Sequence, residues 1–408
     1  MPKGVEHLLC TADRLFDGTG TAALAHPVLR ISGEHVEAIG TGQFPPDSAD
    51  AERFEFPGCT ILPGLIDTHV HLVFSALHSN AAIVEQVTSE TDEQLLQRAL
   101  ANARAALRAG VTTVRDCGGR RRVTQEVRDR IHRGEAEGPD VLSCGSPITT
   151  RTGHCHWLGL IADTPQEVRA AAERMLAEGA DFLKVIATGG NMTPSSNPMK
   201  AQYDADTLTI IADLGRRAGR HTAAHVLSQA GLPGAIAARV RTIEHCDWRV
   251  EENHYAFNPD LARRLIDQEQ YVGLTMNGMT RRAILGRAVI DDSGPVRRLD
   301  PRFACERQMI EFGVPFTLHS DAGVRWTPID RFALGLRAAV FELCLSPAEA
   351  IVAATRTAAE ALGLEDRGVL LPARRADLLV VEGNPLRDPA CLENVRAVMK
   401  AGRWVSTP

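Results

Sequence analysis

Residues 165–187 read PQEVRAAAERMLAEGADFLKVIA, and this one unit carries the plan of most of the chain. Pro165 to Glu178 has the pattern of an amphipathic helix. Gly179 stands where a helix C′ glycine belongs, and 181–187 is a short apolar strand interrupted by one lysine. The same alternation recurs on both sides. Strands are expected at 61–72, 111–116, 140–145, 181–187, 221–226, 241–246, 271–276 and 315–321. Helical patterns lie between most of them, including Gln94 to Arg108, Ala205 to Ala218 and Pro301 to Phe312, with Gly110, Gly219 and Gly313 closing three of these. Eight strands with helical crossovers predict an α/β fold, a parallel (β/α)8 TIM barrel rather than a doubly wound sheet. Pro328 to Leu343 and Pro347 to Leu362 form a further helix pair over its end.

The two ends of the chain have a different texture. Residues 5–57 hold short apolar runs broken by Gly, Asp and Pro, and Ala376-Asp377-Leu378-Leu379-Val380-Val381 begins a similar stretch near the C-terminus. Neither is large enough for a core of its own. The expected organisation is therefore 58–365 as the barrel, and 1–57 with 366–408 as one small β-sandwich domain built from both termini.

Composition narrows the function classes. The chain has 408 residues, 44% hydrophobic and 24% charged, which is globular composition and excludes disorder. With 45 basic and 51 acidic residues the net charge is −6, so no global attraction to nucleic acid or anionic membrane is expected. The run Arg120-Arg121-Arg122 reads as a solvated helix entry. Nine scattered cysteines without a Cys-x-x-Cys pair argue against a disulfide framework, and no apolar run approaches a membrane span; a cytoplasmic location is expected. What stands out is 14 histidines, several inside apolar stretches.

In a (β/α)8 barrel, chemistry gathers at the C-terminal ends of the strands. The first strand ends Asp67-Thr68-His69-Val70-His71, where the two-residue period points both imidazoles to one face, about 7 Å apart along the strand. The fourth strand buries Lys184. Burial disfavours its charged form, which leaves an ion pair, a Schiff-base lysine, a snorkelling side chain or a carbamate as explanations. The fifth strand holds His221 and His225 at the spacing of a zinc-protease helix, but Thr222 stands where the general base would be; position favours His225 as ligand and His221 as structural. His245 ends the sixth strand, and Asp321 ends the eighth within His319-Ser320-Asp321-Ala322-Gly323. Each is ambiguous alone. Together His69, His71, Lys184, His225, His245 and Asp321 all fall at one end of their strands, and a shared metal site explains that placement best.

Pro63-Gly64-Leu65-Ile66-Asp67-Thr68-His69-Val70-His71 resembles the opening signature of the amidohydrolase superfamily of metal-dependent hydrolases. The segments 110–116, 179–185, 243–245, 320–323 and 376–385 match the same pattern in order, so the resemblance covers about residues 5 to 405. Within the superfamily the chain is similar to the imidazolonepropionase-like and Xaa-Pro dipeptidase-like group. Members with one metal lack the fourth-strand lysine, so the resemblance implies a binuclear centre here. His69, His71 and Asp321 would hold the buried ion, and His225 and His245 the outer one. Lys184, as N6-carboxylysine, would bridge two divalent ions, zinc above all. One departure is His319-Ser320 before Asp321, where the family usually has Gly-Thr.

The implied activity is hydrolysis of an amide bond, in dipeptides or N-acyl amino acids, with water activated at the metals and Asp321 as general acid and base. Substrate contacts are expected from His154 or His156 after the third strand, Tyr203 behind a lid of 189–203, and Arg325 as a carboxylate reader. Hydrolysis of a cyclic amide, lactone or xenobiotic amide or carbamate is the alternative. A non-catalytic oligomeric scaffold predicts missing ligands, and all six are present. The expected partner is a small-molecule substrate, with no nucleic acid or membrane, in a homo-oligomer.

Overall fold

The computed structural model describes residues 7–20, 22–42, 51–278, 280 and 301–405; residues 1–6, 21, 43–50 and 406–408 of the expected small domain lie outside the described ones. Strand Glu52–Pro63 organises the terminal region. It runs parallel to His7–Leu15, and over 59–63 it also pairs antiparallel with Leu378–Glu382. Pro27–Ser32 and His35–Thr41 extend the sheet on one side, Val395–Lys400 and Arg403–Trp404 on the other. The described strands are joined by hydrogen bonds into one continuous sheet. Alternate residues (Leu8 and Cys10, Leu29 and Ile31, Leu378 and Val380, Ala397 and Met399) share a face and bury in a single core that also takes Val36 of the edge strand. Trp404 closes this core edge-on to Phe54 and Phe56, with ring centroids 5.1 and 5.6 Å away.

The predicted strand 61–72 divides at Gly64. Its first part belongs to the terminal sheet, and Leu65–Val70 opens the parallel series. A Cβ at Gly64 would lie 2.3 Å from Thr112 Oγ1, so only glycine lets the two backbones approach this closely. Leu65–Val70, Val111–Asp116 and Asp140–Ser143 form one parallel ladder. Phe182–Ile186, His221–Val226, Thr242–His245, Tyr271–Thr275 and Phe316–His319 form a second, which begins with the short strands Leu160–Ile161 and Ile148–Thr149. Backbone bonds cross both gaps: Asp181 N–H to Ser143 O at 2.9 Å on one side, Asp321 N–H to His69 O at 3.0 Å on the other.

The helices follow the expected pattern. Pro165–Ala177 starts with a capping box between Thr164 and Glu167, and Gly110, Gly179, Gly219 and Gly313 all have positive φ. Helix Val123–His132 follows directly on Arg120-Arg121-Arg122. Arg120 and Arg121 are tied to Asp92 at 2.6 and 2.8 Å. The predicted helix Pro347 to Leu362 is broken between Pro347–Ala353 and Arg356–Leu362. The break leaves Ala354 O free of helix bonding, and it accepts the Ile66 N–H at 2.8 Å, docking the first parallel strand. Among the described residues no helix is long and apolar enough to cross a membrane.

An ion cluster joins the terminal sheet to the parallel strands. Asp140, at the start of the third strand, meets Arg367 at 2.6 Å, Lys400 at 2.8 Å and also Arg375. Burial raises its carboxyl, but Arg375, Lys400 and Arg367 outweigh burial and hold it far below the usual carboxylate range. The resulting stabilisation is complete above the unfolded value of about 4 and is lost as pH falls through and below it. Asp140→Asn takes the carboxylate from Lys400 and leaves Arg367 and Arg375 with only Asp366 and Asp377, and is expected to cost on the order of 2 kcal/mol at pH 7. Thermal melting from pH 7 to pH 3 should show a smaller acid-induced loss in the variant than in the wild type; parallel curves would refute the role.

Candidate metal centre

The C-terminal ends of the parallel strands surround a cavity of about 300 Å³, lined by His69, His71, His154, Lys184, His225, His245 and Asp321 among others. Five imidazoles form an unbroken arc around it. From His71 the ring centroids step 5.3 Å to His69, 5.1 Å to His245, 4.7 Å to His225 and 4.8 Å to His154. Asp321 faces one end of the arc: its Oδ1 lies 3.4 Å from His71 Nε2 and 3.6 Å from His69 Nε2. These three side chains present one ligand atom each within 4.8 Å of one another. The six residues expected at a metal site therefore line one cavity.

The strand ends are bent to make this happen. His245 and Asp321 have φ of 68° and 55°, the left-handed region that a residue with a Cβ adopts only at some cost. Asp67 secures the second bend, since its carboxylate accepts both the backbone N–H and the hydroxyl of Ser320. Asp116 secures the turn after the first strand by accepting Leu72 N–H at 2.7 Å and Gly118 N–H at 3.2 Å. The Ser in His319-Ser320 thus has a definite task.

Beneath the cavity lies a buried polar layer with no part in the sequence-level assignment of ligands. Arg115 donates to Thr68 O at 2.7 Å, Thr242 Oγ1 at 2.9 Å and Glu244 Oε1 at 2.6 Å. Glu244 Oε2 in turn accepts from His69 Nδ1 at 3.0 Å. Burial would raise the Glu244 carboxyl, but Arg115, with Lys184, His319 and the Thr242 hydroxyl, overrides it and brings it down to about 2. Ionised Glu244 can only accept, so His69 carries its proton on Nδ1 and turns Nε2 to the cavity. The signal for this layer was present in Arg115 and Glu244, two charged residues inside apolar strands.

The electrostatics suit neutral nitrogen ligands. Burial pushes His69, His225 and His245 well below the ordinary imidazole value, leaving their lone pairs available. Burial also raises the Asp321 carboxyl, but the His71 hydrogen bond and charge outweigh it and keep it ionised. Lys184 Nζ and His225 Nε2 are buried with no hydrogen-bond partner among the described residues. Orphaned buried polar atoms of this kind call for an occupant, and a set of imidazoles with a carboxylate fits a divalent ion such as zinc.

The residues expected to contact substrate separate into two groups. His154 lines the cavity, with burial lowering its imidazole to about 4 and its Nδ1 unpartnered. Arg325 also lines it, stacked 4.6 Å over Trp326. His156 is turned away and its Nδ1 lies 3.0 Å from Gly153 O. The Tyr203 hydroxyl donates to Ala162 O at 2.8 Å and lies outside the lining; the backbone of its loop faces the His154 ring at Gly190, while Asn191 and Met192 reach the cavity. Arg249, which sequence reasoning passed over, joins the lining with its Nε unpartnered and Nη2 donating to Tyr255 Oη at 3.3 Å.

Glu244→Gln tests the buried layer. It preserves shape but leaves Arg115 without an anion, so the metal-free protein should lose about 3–5 kcal/mol in chemical denaturation. A variant as stable as the wild type would show that the pair does not hold the strands.

The sequence profile of the Amidohydrolase family matches residues 60–405. Ochratoxinase from Aspergillus niger is 27% identical over 382 residues, spanning 85% of this chain and 76% of the relative. Imidazolonepropionase from Salinispora tropica is 25% identical over 352 residues, spanning 81% and 79%. Among solved structures, a Xaa-Pro dipeptidase with methionine bound in its active site superposes with a TM-score of 0.84 at 25% identity, over 98% of this chain and 99% of that one. The profile spans the parallel strands, all six cavity-lining groups and the C-terminal strands of the sheet, and the chain belongs to the amidohydrolase family.

Proposed function

We propose that this protein is a metal-dependent hydrolase of amide C–N bonds, acting on dipeptides or N-acyl amino acids. The reading takes the two parallel ladders as one (β/α)8 barrel and the terminal sheet as its small companion domain. The observation that carries it is the orphaned Lys184 Nζ inside the arc of imidazoles that faces Asp321. His69, His71 and Asp321 would hold one divalent ion, and His225 and His245 a second. Lys184 would bridge them after its Nζ adds to CO2 and releases a proton. Such ions, when bound, polarise the scissile carbonyl and lower the pKa of water.

The side chains do the rest. Asp321 is ionised beside His71 and takes the proton of the attacking water, then returns it to the leaving nitrogen. His154, at the far end of the arc, is placed to hydrogen-bond the substrate oxygen as it becomes an oxyanion. Arg325 and Arg249 bring positive charge to the lining, which supports a substrate with a free carboxylate.

A zinc-loaded preparation offered dipeptides, N-acyl amino acids, carbamates and lactones should cleave the first two classes. Activity confined to carbamates or lactones would overturn the substrate class. Asp321→Asn should keep much of its metal while kcat falls by roughly 10²–10⁴. Lys184→Ala should bind less metal, with some activity restored by added short carboxylates; full metal content would count against a bridging carbamate.

A further inference from the structure

His319, one of the two residues at which this chain departs from the pattern it resembles, is wholly buried. Its ring stacks on His69 with centroids 4.7 Å apart and an interplanar angle of 28°. Room for it comes from the neighbouring strand: a Cβ on Gly273 would lie 2.8 Å from His319 Cδ2 and 3.0 Å from Glu244 Oε2. Gly273 and His319 are thus a matched pair. The ring's Nε2 lies 3.3 Å from Thr275 Oγ1, and the same hydroxyl lies 2.7 Å from His245 Nδ1.

That shared hydroxyl has one proton to give. If it goes to His245 Nδ1, the imidazole must carry its own proton on Nε2 and cannot present a lone pair there. If it goes to His319 Nε2, the oxygen is left to accept from His245 Nδ1–H, and His245 Nε2 stays open. Glu244 Oε2, at 3.9 Å from His319 Nε2, is beyond hydrogen-bond reach and does not require a proton on that nitrogen. His69 has a carboxylate to set its tautomer, whereas His245 has only a hydroxyl, whose direction depends on its other neighbour.

We propose that His319 is a positioning residue, which through Thr275 fixes the tautomer of His245 and so the affinity for the ion that His245 would hold. This rests on the metal-hydrolase reading above. The test compares wild type, His319→Phe, which keeps a ring against His69 but has no acceptor, and His319→Gln, which restores one. Zinc affinity is measured by competition with a chromophoric chelator, alongside cobalt-loaded absorption spectra and melting of the metal-free proteins.

Wild type should take up two zinc equivalents. His319→Phe should bind the weaker one about 10–100-fold less tightly, with an altered cobalt spectrum, and His319→Gln should recover most of the loss. Unchanged zinc affinity in His319→Phe, or an equal loss in His319→Gln, overturns the proposal while leaving the metal-hydrolase reading intact. A wild type that binds no divalent ion overturns both. Should His319→Phe fail to fold, Thr275→Val removes the hydroxyl and must show the same loss; wild-type affinity there also overturns it.

Discussion

The guanidinium of Arg115 lies wholly inside the protein, where a lone cation would carry a desolvation cost of several kcal/mol. Everything at the cavity floor follows from that charge. It requires Glu244 on the sixth strand to remain ionised, and it also binds the backbone of the first strand at Thr68. Three strands distant in sequence are thereby held in one register. Because Glu244 can only accept hydrogen bonds, the proton of His69 is drawn downward and its free nitrogen upward. An ion pair that adds little net stability in such surroundings still specifies which face of an imidazole meets the ligand.

Strain appears where this layer meets the cavity. His245 and Asp321 leave their strands in left-handed conformations that neither would choose in isolation. Both are restrained by neighbours: His245 by Thr275, and Asp321 by its own N–H on His69 O. Regular strands point side chains alternately inward and outward, and bending the last residue re-aims its side chain at the cavity. The site is built from two kinds of part: straight strands that supply His69 and Lys184, and bent ends that supply His245 and Asp321.

Much of this was legible in the residues. The helix–glycine–strand unit at 165–187 generalised to the parallel strands, and the strand-end placement of six metal-competent groups anticipated a common cavity. The terminal sheet was legible in kind but not in its pairings. Alternation in short strands says which face is buried, not which strands lie side by side, and the pairing of 59–63 with 378–382 depends on residues over 300 positions apart. Tyr203 and His156 illustrate a different limit. A polar side chain in a loop has several partners within reach, and Ala162 O and Gly153 O claimed theirs. For the buried layer, Arg115 and Glu244 stood out as charges inside apolar strands and His319 as a departure from the pattern, but which residue each one meets depends on pairings across strands that leave no local mark.

The terminal sheet also bears on how the chain reaches this state. Glu52–Pro63 leads directly into the strand that carries His69 and His71, yet its partner Leu378–Glu382 is synthesised more than 300 residues later. Thr60 Oγ1 bonds Gly383 O across 323 residues, and Arg356 reaches Thr19 O across 337. Contacts of such high sequence separation form slowly and late. During translation the N-terminal strands must wait with an apolar face open to solvent until the C-terminal strands arrive. The strand that supplies His69 and His71 is then anchored by residues made more than 300 positions after it.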